Sequence, residues 1–402
     1  MNLYVDLLRT PGVARIIAAQ LTARFPSGMM SLAYLLHMER IFDSYGAAGL
    51  VLAATSIGQA VAGPLTSRWM GVWGMRRVLT LTTLVCAASM AAIAFLVLPL
   101  WSYMLLGLVC GLSFPPVQPA VRTIYPKMVN SRQLTPLFSL DASAQEIIWI
   151  AGPVVVTFVS LQISTTVGIA LSIVFLLGGG LWFLSSPEVS RVRIPRSRRK
   201  LGVVLTRPPV LMAMVVGFLV VGSTAAIEAG VVAEFGHGGA DAGIILAIWA
   251  VASLLGGLGF GHIPIGPWAL ARRTIVIFVG SALAAVAWDF WTVALALVVA
   301  GLCLAPALAA MFAMVSASVK FSDTAEAYGW VGTGQLIGAA AGSAIAGFLI
   351  DANGPDGGFW VAAVFALAGF AVAAVFHRAA PDLRGRDASP LPDTEPVQVH
   401  PG

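Results

Sequence analysis

Three observations predict an all-α membrane protein of twelve transmembrane helices in two pseudo-symmetric six-helix bundles. Of 402 residues, 58% are apolar and 10% are charged, a balance outside the range of a soluble domain. The apolar residues gather into twelve runs, mostly of the roughly 18 to 25 residues a helix needs to cross the hydrocarbon. The second half of the chain also repeats patterns of the first.

The runs lie at 13–37, 46–69, 77–98, 101–124, 137–160, 164–185, 209–233, 241–261, 273–289, 291–317, 325–350 and 357–377, with short connections. The first is longer than a signal-peptide core, and PSGMM after Arg24 lies within it, so it is expected to remain as a helix. The prolines of FPPVQP, 114–119, are expected to kink the fourth. The dense glycines of GTGQLIGAAAGSAIAG, 332–347, read as close packing of the eleventh.

With the N-terminus inside, 21 of the 23 Lys and Arg fall in inner segments. Arg40 lies outside and Arg24 within the first run. The positive-inside rule then puts both termini in the cytoplasm of a multi-pass protein of the cell membrane. The net charge of +5 reports orientation in a lipid bilayer, not nucleic-acid binding. Cys86, Cys110 and Cys303 fall inside runs without paired spacing, which argues against a disulfide framework or a metal site. No cofactor is expected. Loops too short for a catalytic domain, with no nucleotide loop or nucleophile elbow, argue against an enzyme.

AAGLVLAATSIGQAVAG at 47–63 aligns without gaps on DAGIILAIWAVASLLGG at 241–257, an offset of 194. Gln145, Ile147, Ala151, Gly152 and Phe158 return 190 residues later as Gln335, Ile337, Ala341, Gly342 and Phe348. Two matches at nearly one offset indicate a six-plus-six duplication. The expected division is therefore 1–185 for the first bundle, 186–208 for a basic cytoplasmic linker, 209–378 for the second bundle and 379–402 for a disordered cytoplasmic tail.

Twelve helices, a long middle loop and duplicated halves resemble the major facilitator superfamily, and its bacterial drug-efflux members in particular. Local support is GPLTSRWMGVWGMRRVL at 63–79, where Gly74, Arg76 and Arg77 match a Gly-x-Arg-Arg signature. The acidic residue usual in that loop is absent, since Gly71 and Val72 stand where Asp-Arg is expected. Gly107 replaces the Arg of the fourth-helix motif, and Gly152-Pro153 retains the core of the fifth-helix antiporter motif.

A charge near the bilayer centre costs about 2.5 to 3.5 kcal/mol on insertion scales, so intramembrane ionisable residues are functional candidates. The stretch LDASAQEIIWIAGP, 140–153, holds Asp141, Gln145 and Trp149 on one helix face and Glu146 beside it. The resemblance implies that the first and fifth helices cross at a central cavity, where Arg24 and Glu146 pair, as a static tie or as a substrate or proton site. Asp141 reads as a shallower gate residue near Arg122 or Arg132. Glu228, desolvated without a basic neighbour in its helix, is a candidate for proton exchange or for an outer vestibule with Glu234 and His237. Gln59, Gln145, Gln335 and Trp149 supply neutral and aromatic contacts suited to a small amphipathic molecule. Arg68, Arg76, Arg77, Arg122 and Asp141 form the expected cytoplasmic gate.

The expected function is secondary active transport of a small amphipathic or apolar molecule by alternating access, by a monomer exchanging protons for exported substrate. Proton-coupled uptake, or a non-transporting receptor or assembly protein on the same fold, are the alternatives.

Overall fold

The computed structural model describes residues 2–197, 199–236, 240–261, 263–287, 289–386 and 388–393. The first half contains α1 (Asn2–Arg9), α2 (Val13–Arg24), α3 (Pro26–Phe42), α4 (Tyr45–Trp73), α5 (Met75–Phe95), α6 (Leu100–Leu112), α7 (Val117–Ile124), α8 (Ser131–Gln162) and α9 (Thr165–Ser185). A short α10 (Pro187–Arg191) opens the linker. The second half contains α11 (Pro208–Phe235), α12 (Asp241–Phe260), α13 (Ala269–Ala284), α14 (Phe290–Leu302), α15 (Leu304–Ser316), α16 (Phe321–Asn353) and α17 (Asp356–Val375).

Three spans are made of two helices each, which reconciles this count with twelve crossings. Pro26 cannot donate to the preceding turn, so the first span breaks between α2 and α3 and leaves Arg24 in the last turn of α2. Pro115 and Pro116 separate α6 from α7. Cys303 separates α14 from α15. Among the described residues, ten spans are long and apolar enough to cross a membrane by length and composition; the broken first span and the 16-residue α13 complete the twelve.

Each half is a six-helix bundle, and two of the contacts across the junction are related to one another by the repeat. α4 packs on α16, and α8 packs on α12. The sequence matches relate α4 to α12 (47–63 with 241–257) and α8 to α16 (the Gln145 series with the Gln335 series), so the repeat carries one of these contacts onto the other. Within the first bundle, Gly152 lets α8 cross α3 closely: a Cβ there would lie 2.9 Å from the carbonyl carbon of Gly28. Across the junction, a Cβ on Gly329 would lie 2.7 Å from the carbonyl oxygen of Gly63.

The tail departs from the expected disorder along 380–393. Leu383 N–H donates to the Ile265 carbonyl, Leu391 N–H to the Val319 carbonyl, and Phe321 N–H to the Leu391 carbonyl. The Asp393 carboxylate accepts from Ser322 N–H in the first turn of α16. Arg386 donates to the Ala317 carbonyl, and Ala388 is fully buried. Backbone pairing and a helix cap hold this Pro- and Asp-rich segment, so it needs little apolar area of its own. Residues 394–402 and His237 lie outside the described residues.

Candidate site at the junction of the bundles

Asp141 is fully buried and gathers partners from three helices. Its Oδ1 accepts from Gln20 Nε2 at 3.1 Å and from Tyr125 Oη at 3.0 Å. Its Oδ2 accepts from Arg122 Nε at 3.0 Å, and Arg24 Nη1 lies 3.6 Å from Oδ1. Arg24 donates further to Gln20 Oε1 at 2.8 Å and to Gln145 Oε1. The break at Pro26 places Arg24 where α2 faces α8, and the i, i+4 spacing of Gln20 and Arg24 gives both one face. One carboxylate thus offsets two guanidiniums.

The Arg122 guanidinium lies 3.3 Å from the ring centroid of Phe312, which belongs to the second bundle. Around it, Tyr125 packs on Phe138, Phe138 on Tyr328, and Tyr328 on Phe312. Tyr328 Oη donates to the Phe312 carbonyl at 3.0 Å. All four rings are buried, so aromatic side chains from both bundles pack together at the junction.

Glu146 lies one residue after Gln145 and is turned about 100° around the helix, toward the other bundle. Its Oε1 accepts from Ser253 Oγ of α12 at 2.9 Å. Ser253 Oγ in turn accepts from Ala305 N–H at 3.2 Å, an amide freed by the break at Cys303. Glu228 lies on α11, in the second bundle, and its side chain is exposed. Among the described residues, no basic group pairs with either.

On the linker side, Arg68 Nη1 donates to Glu326 Oε2 at 2.7 Å between α4 and α16. Arg68 also donates to the Arg199 carbonyl, and Glu326 Oε1 accepts from Gly202 N–H at 2.8 Å. Gly202 has φ of 84°, a turn that glycine adopts without strain. Ser197 Oγ donates to Asp323 Oδ1 at 2.6 Å. Thr333 Oγ1 donates to the Ala60 carbonyl at 2.8 Å. Ser139 and Tyr4 both donate to the Gly257 carbonyl, at 2.5 and 3.2 Å. Among the described residues, the inter-bundle hydrogen bonds and ion pairs run from this rim to mid-helix, ending at Glu146 and Ser253.

The model of the Major Facilitator Superfamily matches residues 16–288 and 223–398. The chain belongs to the major facilitator superfamily. Solved superfamily-like structures superpose over most of its length. The human organic anion transporter MFSD10 (TETRAN) is 15% identical, with 90% of this chain and 98% of that one covered and a TM-score of 0.70. A bacterial homologue of the iron transporter ferroportin, in an outward-facing state, is 12% identical, with 91% and 99% covered and a TM-score of 0.73. The proton:xylose symporter XylE bound to 6-bromo-6-deoxy-D-glucose is 13% identical, with 94% and 97% covered and a TM-score of 0.72. At such identities these likenesses concern the fold. No curated protein matches the chain by sequence.

Against this superfamily frame, the expected pairing of Arg24 with Glu146 is corrected. Arg24 pairs with Asp141, Gln20 and Gln145, while Glu146 turns to Ser253. Asp141 does meet Arg122, but at the buried centre of the cluster and not at a surface gate. Arg76 is exposed and donates to the Leu184 carbonyl, and Arg77 is exposed, so neither takes part in the inter-bundle contacts. Trp149 is 51% exposed and outside the Arg24 cluster. Gln59 is half-buried where α4 meets α6, and Gln335 packs beside Gly217 of α11.

Gln20, Tyr125, Ser253, Phe312, Glu326 and Tyr328 escaped the reading from sequence. Glu326 carried a signal: it lies at the start of the eleventh run, where an acid can face the basic loop after the second. A Cβ on Gly71 would lie 3.0 Å from the Pro195 carbonyl oxygen, so the linker backbone covers that site.

Proposed function

We propose that this membrane transporter exports a small amphipathic or apolar molecule from the cytoplasm in exchange for protons, with Glu146 and Glu228 as the groups that carry them. The observation behind the reading is the Glu146–Ser253 bond, 2.9 Å long, between a first-bundle carboxyl and a second-bundle hydroxyl. A carboxyl at the moving junction, held by a neutral partner, changes surroundings whenever the bundles rock. Arg24 and Arg122 do not compete for it, because Asp141 occupies both.

The basic inner segments favour a cytoplasmic linker and termini. With that orientation, the contacts from Arg68–Glu326 to Glu146–Ser253 seal the cytoplasmic half, and the conformer is outward-facing. Protons would then reach Glu228 and Glu146 from outside, and substrate would leave by the same route. Gly152, the core of the antiporter motif, supports exchange by fixing α8 tightly on α3.

The test is flux in proteoliposomes after a thermal-shift screen has supplied a substrate. Exchange predicts that an inward proton gradient drives substrate outward, and that Glu146→Gln with Glu228→Gln abolishes the drive while downhill exchange persists. Gradient-driven transport that survives both substitutions would refute the proton role. Substrate accumulating along the proton gradient would favour symport.

A further inference from the structure

Beside the Arg68–Glu326 bond lies an open cavity of about 440 Å³ lined by Arg68, Val72, Arg196, Ser197 and Arg199. We propose that it is a binding site for a phosphate-bearing anion, the headgroup of an anionic phospholipid, and that its occupation stabilises closure of the bundles on the linker side. This reading stands apart from proton coupling.

Charge fits the ligand. Arg68 is paired with Glu326, and Arg199 Nε lies 4.0 Å from Asp323 Oδ2. Among the described residues, three guanidiniums of the lining face two carboxylates, an excess of positive charge that suits a phosphate-bearing anion. Guanidiniums also present the forked donors that phosphate oxygens accept.

Position favours a lipid as the source. Trp69 and Trp73, on the same two turns of α4 as Arg68 and Val72, stack at 5.0 Å between centroids and are 37% and 48% exposed. Paired exposed tryptophans at the end of a transmembrane helix suit the headgroup region. Juxtamembrane arginines are drawn to anionic lipid there.

The walls explain why the ligand would select a conformation. Arg68 and Val72 belong to the first bundle. The opposite wall is the linker, held by both bundles: Ser197 donates to Asp323 and Gly202 N–H to Glu326, both in α16, while Arg68 donates to the Arg199 carbonyl. Separation of α4 from α16 would pull the walls apart. A ligand that binds only the assembled cavity shifts the equilibrium toward the assembled state.

Spin labels at Arg132→Cys and Arg272→Cys, exposed on the linker side of the two bundles, report closure by their distance distribution. The full chain is compared in nanodiscs of phosphatidylcholine alone, in nanodiscs with added phosphatidylglycerol, and in phosphatidylcholine with inorganic phosphate. Phosphatidylglycerol is expected to raise the closed-to-open ratio about threefold, the factor for a local concentration about twice the dissociation constant. Arg196→Gln with Arg199→Gln should remove the effect, while Arg191→Gln with Arg193→Gln, an equal charge loss outside the cavity, should keep it. A matching rise with inorganic phosphate would support the anion site and make soluble phosphate its source. No rise with either anion, or equal loss in both arginine pairs, would overturn the proposal.

Discussion

Arg68 of α4 and Glu326 of α16 meet at 2.7 Å across the two bundles, and each is held by the linker as well. The pair is partly solvated, with the Arg68 side chain 21% exposed. Its worth should be near the upper range for surface pairs, about 1 kcal/mol. Glu326→Gln is therefore expected to lower the closed population on the linker side about fivefold, read as faster modification of a cysteine placed at the junction. Unchanged modification rates would mean that the aromatic rings alone set closure.

Asp141 offsets Arg24 and Arg122 together, so the three charges are not interchangeable. Asp141→Asn leaves two guanidiniums facing each other in a buried site and should cost about 3 to 5 kcal/mol. Arg24→Gln leaves an intact Asp141–Arg122 pair and should cost less. Thermal unfolding in detergent gives the order directly. An Arg24 variant less stable than the Asp141 variant would contradict the assignment of charges.

Gly152→Ala places a methyl about 3 Å from the Gly28 backbone, where no flexible side chain can yield. The expected loss is about 1 to 3 kcal/mol through separation of α3 from α8. A paired increase in linker-side opening would show that this crossing also fixes the conformer. A wild-type melting temperature would show that the crossing relaxes freely.

Truncation after Ala379 removes the tail bonds to Ile265, Val319, Phe321 and Ser322. It is expected to lower the melting temperature by several degrees while the chain still inserts. Truncation after Asp393 should leave it unchanged. Equal loss in both truncations would place the stabilisation beyond Asp393.

The span positions were legible because crossing a bilayer demands an apolar length, which sequence displays without tertiary information. The repeat was legible at α4, α8, α12 and α16, the helices that carry the junction. The partner of Arg24 was not. Depth along a helix follows from residue count, but Glu146 and Gln145 differ by about 100° in azimuth, and that turn sends one to the other bundle. Tail order was hidden for a different reason: backbone pairing at Leu383 and Leu391 has no compositional signature.

The most direct measurement needs no substrate. With the junction distance between labels at positions 132 and 272 followed across pH, the account predicts that the wild-type closed-to-open ratio titrates. Glu146→Gln combined with Glu228→Gln should hold, at every pH, the ratio that the wild type reaches in acid, because Gln mimics the neutral carboxyl. A wild-type ratio that ignores pH, or a double variant that titrates like the wild type, would contradict proton coupling through these carboxylates.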